Sequence, residues 1–584
     1  MCILSEKQEC FPDYWYIFHY NIIIIHLPNP VNMKYARKSP TLPNIVLHIA
    51  YGTTFRYNGI RIRLLGLRRC HILFCRINSM GVSGIDAFPV AVEVDISRSI
   101  PAFELVGLPD AAVRESRDRV RSAMNNSGFP FPTARVLVNL APADIRKTGP
   151  VYDLPILMGI LTATGQVSFP ERDCVFVGEL SLSGACLEIN GTLSMAIKAK
   201  EMGFKTIFVP AANAAEAAVV DGIQVVPVSR VDELVKQLGS GEPLPTAQPT
   251  PFEQITTDYG VDFSEVKGQQ FAKRAIEIAA AGGHNLLMIG PPGSGKSMLA
   301  KRIPTILPEM TFEEAIETTK IYSVAGTLPH SGTLMKERPF RAPHHTISAA
   351  GLSGGGSQPN PGEVSMAHNG VLFLDEFPEF SRPAMEVLRQ PLEDGSITIS
   401  RASGRFTYPC SVMMVAAMNP CPCGYFGHPT RKCICQPQNV SRYLSRISGP
   451  MLDRLDLHVE VMPVEFEHLT SSEKAESSAA IRQRVNAART LQLQRLREMG
   501  VENPMCNAKL PPALIQQICQ LTDPAKALLK SAFERMGMSA RGYDRVLKVS
   551  RTIADLERSE KIDTSHIAQA IQYRSLDRKY WERG

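Results

Sequence analysis

The stretch of sequence that decides the fold spans residues 286–297 and reads Leu286-Leu287-Met288-Ile289-Gly290-Pro291-Pro292-Gly293-Ser294-Gly295-Lys296-Ser297. Its four apolar residues predict a buried strand, and the apolar residues that follow predict the start of a helix. Between them lies the complete G-x-x-x-x-G-K-S form of a phosphate-binding loop. In such a loop backbone N–H groups surround the phosphates, Lys296 reaches the β- and γ-phosphates, and Ser297 is a ligand of Mg²⁺. We therefore expect an α/β core with a site for ATP and Mg²⁺.

A second apolar run ends in two carboxylates. The run is Val371-Leu372-Phe373-Leu374, and Asp375 and Glu376 follow it. We expect Asp375 to hold Mg²⁺ through water and Glu376 to polarise the water that attacks the γ-phosphate. A strand that merely ends in a solvated acidic pair is the alternative, but the upstream phosphate-binding loop argues against it. The two motifs together predict ATP hydrolysis and not binding alone.

Three further polar residues follow these motifs along the chain. Asn419 ends the apolar run at 412–418, where an amide can orient the attacking water, and it matches the sensor-1 position of AAA+ ATPases. Arg454 resembles an arginine finger, which stabilises charge on the phosphoryl group held by a neighbouring subunit. Arg541 lies in a helical region where sensor-2 arginines occur. If these assignments hold, the active unit is a ring; for each arginine alone, surface charge is the alternative.

Several segments in one order resemble the magnesium-chelatase-like AAA+ family, and within it the ComM/YifB competence proteins. The resemblance covers the chain from Met80 onward. The segments that carry it are Gly107-Leu108-Pro109-Asp110, Lys147-Thr148-Gly149-Pro150 with Asp153-Leu154-Pro155, Arg341-Ala342-Pro343-His344-His345-Thr346, Pro361-Gly362-Glu363-Val364, Asn419-Pro420-Cys421-Pro422-Cys423-Gly424 and Ser539-Ala540-Arg541-Gly542-Tyr543-Asp544. The resemblance implies a homo-hexameric, ATP-driven motor that promotes branch migration on single-stranded or branched DNA during natural transformation, alongside recombination proteins.

The residues give limited support of their own for a DNA partner. Two strand-like segments flank a short turn at 402–404 and predict a hairpin with Arg401 and Arg405 near its tip. In the family this hairpin points into the ring pore, where arginines contact phosphates. A solvated hairpin is the alternative, and the sequence does not decide between them. The Gly-rich insert at 351–356 is either a second pore loop or a surface connection.

The chain divides into five predicted segments. Residues 1–79 lack sustained periodicity and are expected to be an over-extended start, with an ordered arm as the alternative. Residues 80–238 form an α/β domain, 239–259 have linker composition, 260–465 form the P-loop core with its parallel sheet, and 466–584 form a helical lid domain. The 80–238 domain resembles the Lon-protease fold, but Val151 and Leu193 stand where that chemistry needs Ser and Lys. We expect a non-proteolytic binding or assembly module.

Four cysteines cluster in the core. Cys421-Pro422-Cys423 and Cys433-Ile434-Cys435 supply enough thiolates for one tetrahedral Zn²⁺, although C-x-C is tighter than the usual zinc spacing. Free thiols are the alternative, and His428 could replace one ligand. Thirteen cysteines in a chain of this length, without a credible signal peptide, indicate reduced thiols and a cytoplasmic protein rather than a disulfide framework.

The overall amino-acid composition excludes few classes of function. The net charge of +6 is compatible with a polyanionic partner but far weaker than that of a dedicated basic arm. The apolar run at 16–27 is interrupted by polar residues and is shorter than the roughly 20 residues of a membrane-spanning helix, so we expect no membrane association. A chelatase-like or protein-remodelling ATPase without DNA activity remains the alternative function, and it predicts ATP hydrolysis that is indifferent to DNA.

Overall fold

The structure, a computed structural model, describes residues 74–581 apart from 170–172, 256, 258, 330–333, 357–359, 402–403, 429 and 465–474. A separate compact unit, residues 1–71, is described only at four short strands: β1 (Tyr16–His19), β2 (Ile22–Ile25), β3 (Phe55–Tyr57) and β4 (Ile60–Ile62). β1 pairs antiparallel with β2, and β3 with β4. The expected over-extended start at 1–79 therefore lies largely outside the described residues. Among the helices that are described, none combines the length and apolar character needed to cross a bilayer.

The first domain of the second unit is a mixed α/β domain. Its elements are β5 (Phe74–Ser83), β6 (Asp86–Ser97), β7 (Ala102–Val106), α1 (Ala111–Asn126), β8 (Arg135–Ala141), α2 (Asp153–Ala163), β9 (Cys174–Phe176), β10 (Glu179–Leu180), β11 (Cys186–Leu187), α3 (Thr192–Glu201), β12 (Thr206–Pro210), α4 (Ala214–Ala217), β13 (Gln224–Val228) and α5 (Val231–Ser240). Seven strands form one sheet in the order β13-β12-β9-β5-β6-β8-β7. Helices α2 and α3 pack on its central strands β5 and β6. The expected α/β architecture of this domain is thus present.

The amino-terminal edge of this domain differs from the prediction. Strand β5 begins at Phe74 and pairs with β6 along its whole length, so it starts six residues before Met80. Cys75, Ile77 and Ser79 alternate as buried residues on its inner face. Because two of these three side chains are small or polar, the alternation did not stand out in the sequence. The boundary predicted at residue 80 cuts through a central strand and is corrected to 74.

The segment predicted as a linker is packed against the first domain. Residues 241–259 contain, where they are described, only one short 3₁₀ turn at Phe252–Gln254. The N–H of Ala247 donates to the carbonyl of Val225 in β13 at 2.8 Å. Phe252 packs against the domain core and meets the ring of Phe312 edge-on at 5.7 Å. The composition of this segment correctly predicted a chain without regular secondary structure. The segment is nevertheless held against the first domain by its apolar residues.

The second domain is built on a parallel sheet. In chain order its elements are α6 (Gln270–Gly282), β14 (Leu286–Ile289), α7 (Lys296–Arg302), α8 (Phe312–Ala325), β15 (Phe340–Arg341), α9 (Ala349–Ser353), β16 (Gly354–Gly355), β17 (Asn360–Pro361), α10 (Glu363–Met366), β18 (Val371–Leu374), α11 (Arg382–Val387), α12 (Arg389–Asp394), β19 (Ser396–Arg401), β20 (Gly404–Pro409), β21 (Met413–Met418), α13 (Pro437–Leu444), α14 (Gly449–Leu452) and β22 (Leu457–Glu460). Five strands pair in the order β15-β18-β21-β14-β22, all parallel.

The register of this sheet determines where the motifs meet. Ile289 at the end of β14 lies opposite Met418 at the end of β21, and Leu374 of β18 lies opposite Ala416. Strands β14 and β18 are fully buried, as their unbroken apolar runs predict for strands covered on both faces. Because the carboxyl ends of parallel strands share one edge of a sheet, the loops after β14, β18 and β21 converge there.

Helices make up the rest of the chain. They are α15 (Ser478–Glu498), α16 (Pro512–Ile518), α17 (Asp523–Met536), α18 (Ala540–Leu556), α19 (Thr564–Gln572) and α20 (Leu576–Tyr580). One apolar core contains residues of α6, such as Ile276, together with Val485 of α15 and Ile553 of α18. The helical region therefore packs directly on the P-loop core. The boundary predicted at 465–466 falls in 465–474, outside the described residues.

Helix α8 connects the first domain to the P-loop core. Its Ser323 hydroxyl donates to the carboxylate of Glu216 at 2.5 Å, and its Lys320 forms an ion pair with Asp86 at 2.9 Å. Burial raises the pKa of Glu216, and the hydrogen bonds from Ser323 and from the backbone N–H of Leu193 oppose that shift. These contacts make the first domain a fixed attachment to the core.

Candidate active site

Lys296 occupies the centre of the phosphate-binding loop. It is the first residue of α7 and follows Gly295, whose φ of 89° lies in the left-handed region that glycine adopts without steric cost. Its Nζ donates to the carbonyl of Gly290 at 2.7 Å and to that of Pro291 at 3.0 Å. Burial lowers the pKa of Lys296 to about 8, and the carboxylate of Asp375 opposes the shift. An anionic phosphate beside this nitrogen would favour the charged ammonium form.

Ser297 and Asp375 lie side by side at the mouth of the loop. The Ser297 hydroxyl donates to Oδ2 of Asp375 at 2.6 Å, and the other carboxylate oxygen accepts from the backbone N–H of Glu376 at 2.9 Å. One hydroxyl and one carboxylate oxygen in contact fit the hard oxygen ligands that Mg²⁺ prefers, with waters completing an octahedron. The sequence predicted this pair, and the structure brings its two members together.

Glu376 projects from the same edge and is exposed. Its φ is 51°, which is uncommon for a residue with a side chain and aims the carboxylate away from the strand direction. Oε2 of Glu376 lies 3.2 Å from Nδ1 of His345. No role is predicted for His345 from the sequence, although it belongs to the quoted 341–346 segment. His345 follows β15, which pairs with β18, so the segment after β15 lies beside the residues that follow β18.

Asn419 completes this group from the third loop. Its Oδ1 accepts from Nζ of Lys296 at 3.2 Å, one residue after the end of β21. An amide at this distance from the phosphate-binding lysine is placed to contact a γ-phosphate or its attacking water. Lys296, Ser297, Asp375, Glu376 and Asn419 therefore form one site at the carboxyl edge of the sheet.

A cavity of about 490 Å³ lies beside Gln269, a residue that contacts the phosphate-binding loop. Its lining includes Gln269, Glu460, Met462 and Gln572. The side-chain amide of Gln269 donates to the carbonyl of Ser294 in the loop at 2.5 Å and to that of Met462 at 3.1 Å. The volume falls in the range of small-molecule sites. Gln269 could not be predicted from the sequence, because a lone polar residue before a helix belongs to no motif.

Arg454 lies at the other edge of the sheet. Its backbone carbonyl accepts from the side chain of Asn285, which directly precedes β14, and its guanidinium pairs with Glu393 at 2.7 Å. The four residues of β14 separate this end from the phosphate-binding loop by about 13 Å at roughly 3.3 Å per residue. Arg454 therefore lies away from the ATP site of its own chain. This position is compatible with the predicted action on a neighbouring subunit, which stays a prediction.

Arg541 stands near the same edge as Arg454. It lies in the first turn of α18, one turn before Arg545. Nη1 of Arg545 is 3.4 Å from a carboxylate oxygen of Asp453, the residue next to Arg454. No hydrogen bond within the described residues links Arg541 to the phosphate-binding loop, so its expected sensor role stays a prediction.

The predicted hairpin is present. β19 and β20 pair antiparallel with Ser400 opposite Arg405 and Arg401 opposite Gly404, and both arginines are exposed. Turn residues 402–403 lie outside the described residues. The guanidinium of Arg401 comes within 3.1 Å of the space that a side chain on Gly355 would fill, so the hairpin and the Gly-rich insert are neighbours.

The four predicted zinc ligands form one cluster. Their sulfur atoms all lie within 4.8 Å of one another. The Sγ of Cys421 is 3.3 Å from that of Cys423 and 3.7 Å from that of Cys433, and the Sγ atoms of Cys423 and Cys433 are 3.5 Å apart. His428 is not a member, and its Nδ1 accepts from the backbone N–H of Arg431 at 3.0 Å.

Comparison with known proteins finds similarity over most of the chain. Three family profiles match in order: subunit ChlI of Mg-chelatase at residues 92–213, magnesium chelatase subunit ChlI at 262–469, and the ChlI C-terminal region at 475–574. The chain is 42% identical to the uncharacterized protein YifB of Escherichia coli K12 over 506 residues, which are 86% of this chain and 97% of YifB. It is 42% identical to the competence protein ComM of Haemophilus influenzae over 507 residues, again 86% and 97%. An uncharacterized Mycobacterium tuberculosis protein, Rv2897c, is 40% identical over 505 residues, or 85% and 98%.

Proposed function

Because this chain belongs to the magnesium-chelatase-like family, with the YifB and ComM proteins, we propose that it is an AAA+ ATPase whose hydrolysis of ATP drives movement on DNA. The ATPase half rests on one observation above all. Lys296, Ser297, Asp375, Glu376 and Asn419 come from three separate loops, yet they meet at one edge of a parallel sheet.

Each residue of that site has a place in hydrolysis. Lys296 binds the β- and γ-phosphates, and the N–H groups of the loop at 290–297 surround them. Ser297 and Asp375 would hold Mg²⁺, which neutralises the charge that develops on the phosphate oxygens. Glu376 accepts a proton from the attacking water, and Asn419 orients that water. The cavity beside Gln269 is the right size for the base and ribose.

The second half of the proposal concerns assembly. Arg454 stands at the amino edge of the sheet, away from the phosphates of its own chain, and a ring of identical subunits would bring it to the next subunit's ATP. In the single chain its side chain is 12% exposed and pairs with Glu393, so contact with a neighbouring subunit's phosphate requires that pair to open. A homo-hexamer is the proposed ring.

DNA is the proposed substrate of the motor. Arg401 and Arg405 are two exposed cations at the tip of a hairpin, and the Gly-rich insert lies beside them. Cations at such a tip suit the phosphates of a strand that passes through a ring, independent of base sequence. The name of the ComM relative connects the family to competence, so branched and single-stranded recombination intermediates, alongside recombination proteins, are the proposed setting.

We also propose that the four-cysteine cluster holds a structural Zn²⁺. Four thiols from two C-x-C pairs match the ligand number and kind that tetrahedral zinc takes.

ATP turnover by the full chain, with and without four-way-junction DNA, tests the proposal. We expect junction DNA to stimulate turnover, and we expect Lys296→Ala and Glu376→Gln each to abolish it. If ATP turnover is robust but no DNA changes its rate, the protein is still an ATPase. Its function is then a chelatase-like or protein-remodelling one instead of movement on DNA. Absence of turnover in the intact, folded protein would overturn the ATPase itself.

A further inference from the structure

The loop between β21 and α13 has a defined shape without regular secondary structure. Apart from Pro429, which is not described, residues 419–436 contain no helix or strand. The loop nevertheless buries Cys421 completely and places its four cysteine sulfurs at one point. A crosslink or a bound ion would offset part of the conformational entropy that such an irregular segment loses when it is ordered.

The sulfur geometry fits a single metal ion. Zinc–sulfur bonds of about 2.3 Å in a tetrahedron place the sulfurs about 3.8 Å apart. The separations of 3.3, 3.5 and 3.7 Å among Cys421, Cys423 and Cys433 lie close to that value. They are far longer than the roughly 2.05 Å of a disulfide bond. Three sulfurs are mutually close, whereas disulfides would join them in pairs.

The same loop touches the phosphate-binding loop. Gly424 has a φ of 85°, and a Cβ built on it would lie 2.4 Å from Cδ of Pro292. The backbone at Gly424 therefore packs against the ring of Pro292 more closely than a residue with a side chain would allow. Asn419, which contacts Lys296, lies only two residues before Cys421.

We infer that Cys421, Cys423, Cys433 and Cys435 bind one Zn²⁺, and that this ion braces the phosphate-binding loop through the contact of Gly424 with Pro292. The metal fixes the loop's shape, the loop presses its backbone against Pro292, and Asn419 is held beside Lys296. The bracing half of this inference rests on the proposed ATP site, whereas the zinc half does not.

Metal analysis of the full chain, purified under reducing conditions, tests the zinc half. We expect one zinc per chain, released when a mercurial reagent blocks the thiols. Metal-free protein given Co²⁺ should show the visible absorption of a tetrahedral cobalt thiolate. Neither result depends on a variant's folding. Folded, reduced protein that holds no zinc and gives no cobalt thiolate spectrum would overturn the site.

Serine variants locate the ligands. Cys423→Ser and Cys433→Ser should each lose the zinc, while Cys410→Ser should keep it. Cys410 is a matched control because it is also buried in this core but contacts the carbonyl of Pro391, not the cluster. Zinc retained at one per chain in both cluster variants would place the metal elsewhere and contradict the assignment.

Two alanine substitutions test the bracing. Gly424→Ala and Gly427→Ala add the same atom to left-handed positions of one loop, but the Cβ at Gly427 would meet only the end of the Lys579 side chain, with Cε at 3.7 Å and Nζ at 3.9 Å. We expect both variants to keep zinc. Binding of a fluorescent ATP analogue should weaken about tenfold in Gly424→Ala, because overpacking against Pro292 shifts the phosphate-binding loop, and less than about twofold in Gly427→Ala. Equal loss of nucleotide affinity in Gly424→Ala and Gly427→Ala would refute the bracing. If the intact protein binds zinc but does not hydrolyse ATP, the proposed function fails and the zinc site stands.

Discussion

The Nδ1 atom of His345 lies 3.2 Å from Oε2 of Glu376, so the residue expected to polarise the attacking water is held by a neighbouring side chain. Glu376 also has a left-handed backbone conformation, which a non-glycine residue adopts only where its surroundings stabilise it. His345 lies on the segment that leads to α9 and the Gly-rich insert beside the hairpin. The contact therefore connects the carboxylate of Glu376 with the chain that approaches the proposed DNA path.

Releasing Glu376 from His345 should raise hydrolysis in the absence of DNA. A contact of this kind between partly exposed side chains is worth about 0.2–1 kcal/mol, so we expect His345→Ala to increase basal turnover by up to roughly fivefold and to reduce the further stimulation by DNA. His344→Ala is the matched control, because His344 contacts Thr346 and not Glu376. If His345→Ala instead abolishes turnover as completely as Glu376→Gln, the contact is needed for catalysis and does not restrain it.

The affinity for ATP should fall as the pH rises through about 8. Below that value Lys296 is already an ammonium ion when ATP arrives, whereas above it the free enzyme must take up a proton to bind the phosphates. With a pKa of about 8 for Lys296, binding at about pH 9 should be roughly tenfold weaker than at pH 7.

Isothermal titration at several pH values measures this dependence, and buffers of different ionisation enthalpy count the protons taken up. Lys296→Arg is the control, since its guanidinium stays charged throughout and should remove the pH dependence. Equal affinity of the wild-type protein from pH 7 to about pH 9 would exclude titration of Lys296.

Two inactive variants should restore activity to each other if Arg454 acts between subunits. In a mixture of Glu376→Gln and Arg454→Ala chains, some interfaces join the intact ATP site of one chain to the intact Arg454 of the other. A mixture of Glu376→Gln and Lys296→Ala has no intact ATP site and should stay inactive. ATP turnover across mixing ratios checks this, and no recovery in the first mixture would mean that Arg454 does not act in trans.

The first strand of the amino-terminal domain should be needed for stability. A chain shortened to begin at Met80 loses Cys75 and Ile77 from the core, whereas one that begins at Ile72 keeps β5 whole. Burial of a side chain such as Ile77 stabilises by about 2 kcal/mol, so the shorter chain should unfold at a lower urea concentration. Unfolding followed by circular dichroism compares the two, and coincident midpoints would show that the residues before Met80 contribute nothing.

The core of the candidate site could be predicted from the sequence because its signals are local. Each of Lys296, Asp375 and Asn419 follows an unbroken apolar run, and the carboxyl ends of parallel strands must meet. The sequence signal for the hairpin with Arg401 and Arg405 was equally local, since two strands with alternating polarity flank a short turn. The cysteine cluster needed only two C-x-C pairs close in sequence.

What the sequence did not reveal depends on contacts between distant segments. His345 meets Glu376 only because β15 pairs with β18, and β15 is two residues long, too short for periodicity to reveal. Gln269 reaches the phosphate-binding loop from a preceding turn with no motif of its own. The start of β5 was hidden because Cys75 and Ser79 give its buried face a weak apolar signal.

Conversion of a labelled four-way junction into its duplex products shows whether ATP hydrolysis moves this protein along DNA. We expect the full chain to resolve the junction only with hydrolysable ATP and Mg²⁺. Glu376→Gln should be inactive, and joint replacement of Arg401 and Arg405 by Ala should abolish junction conversion while leaving ATP hydrolysis without DNA intact. If the wild-type protein hydrolyses ATP at the same rate with and without the junction and leaves the junction whole, the DNA motor is contradicted.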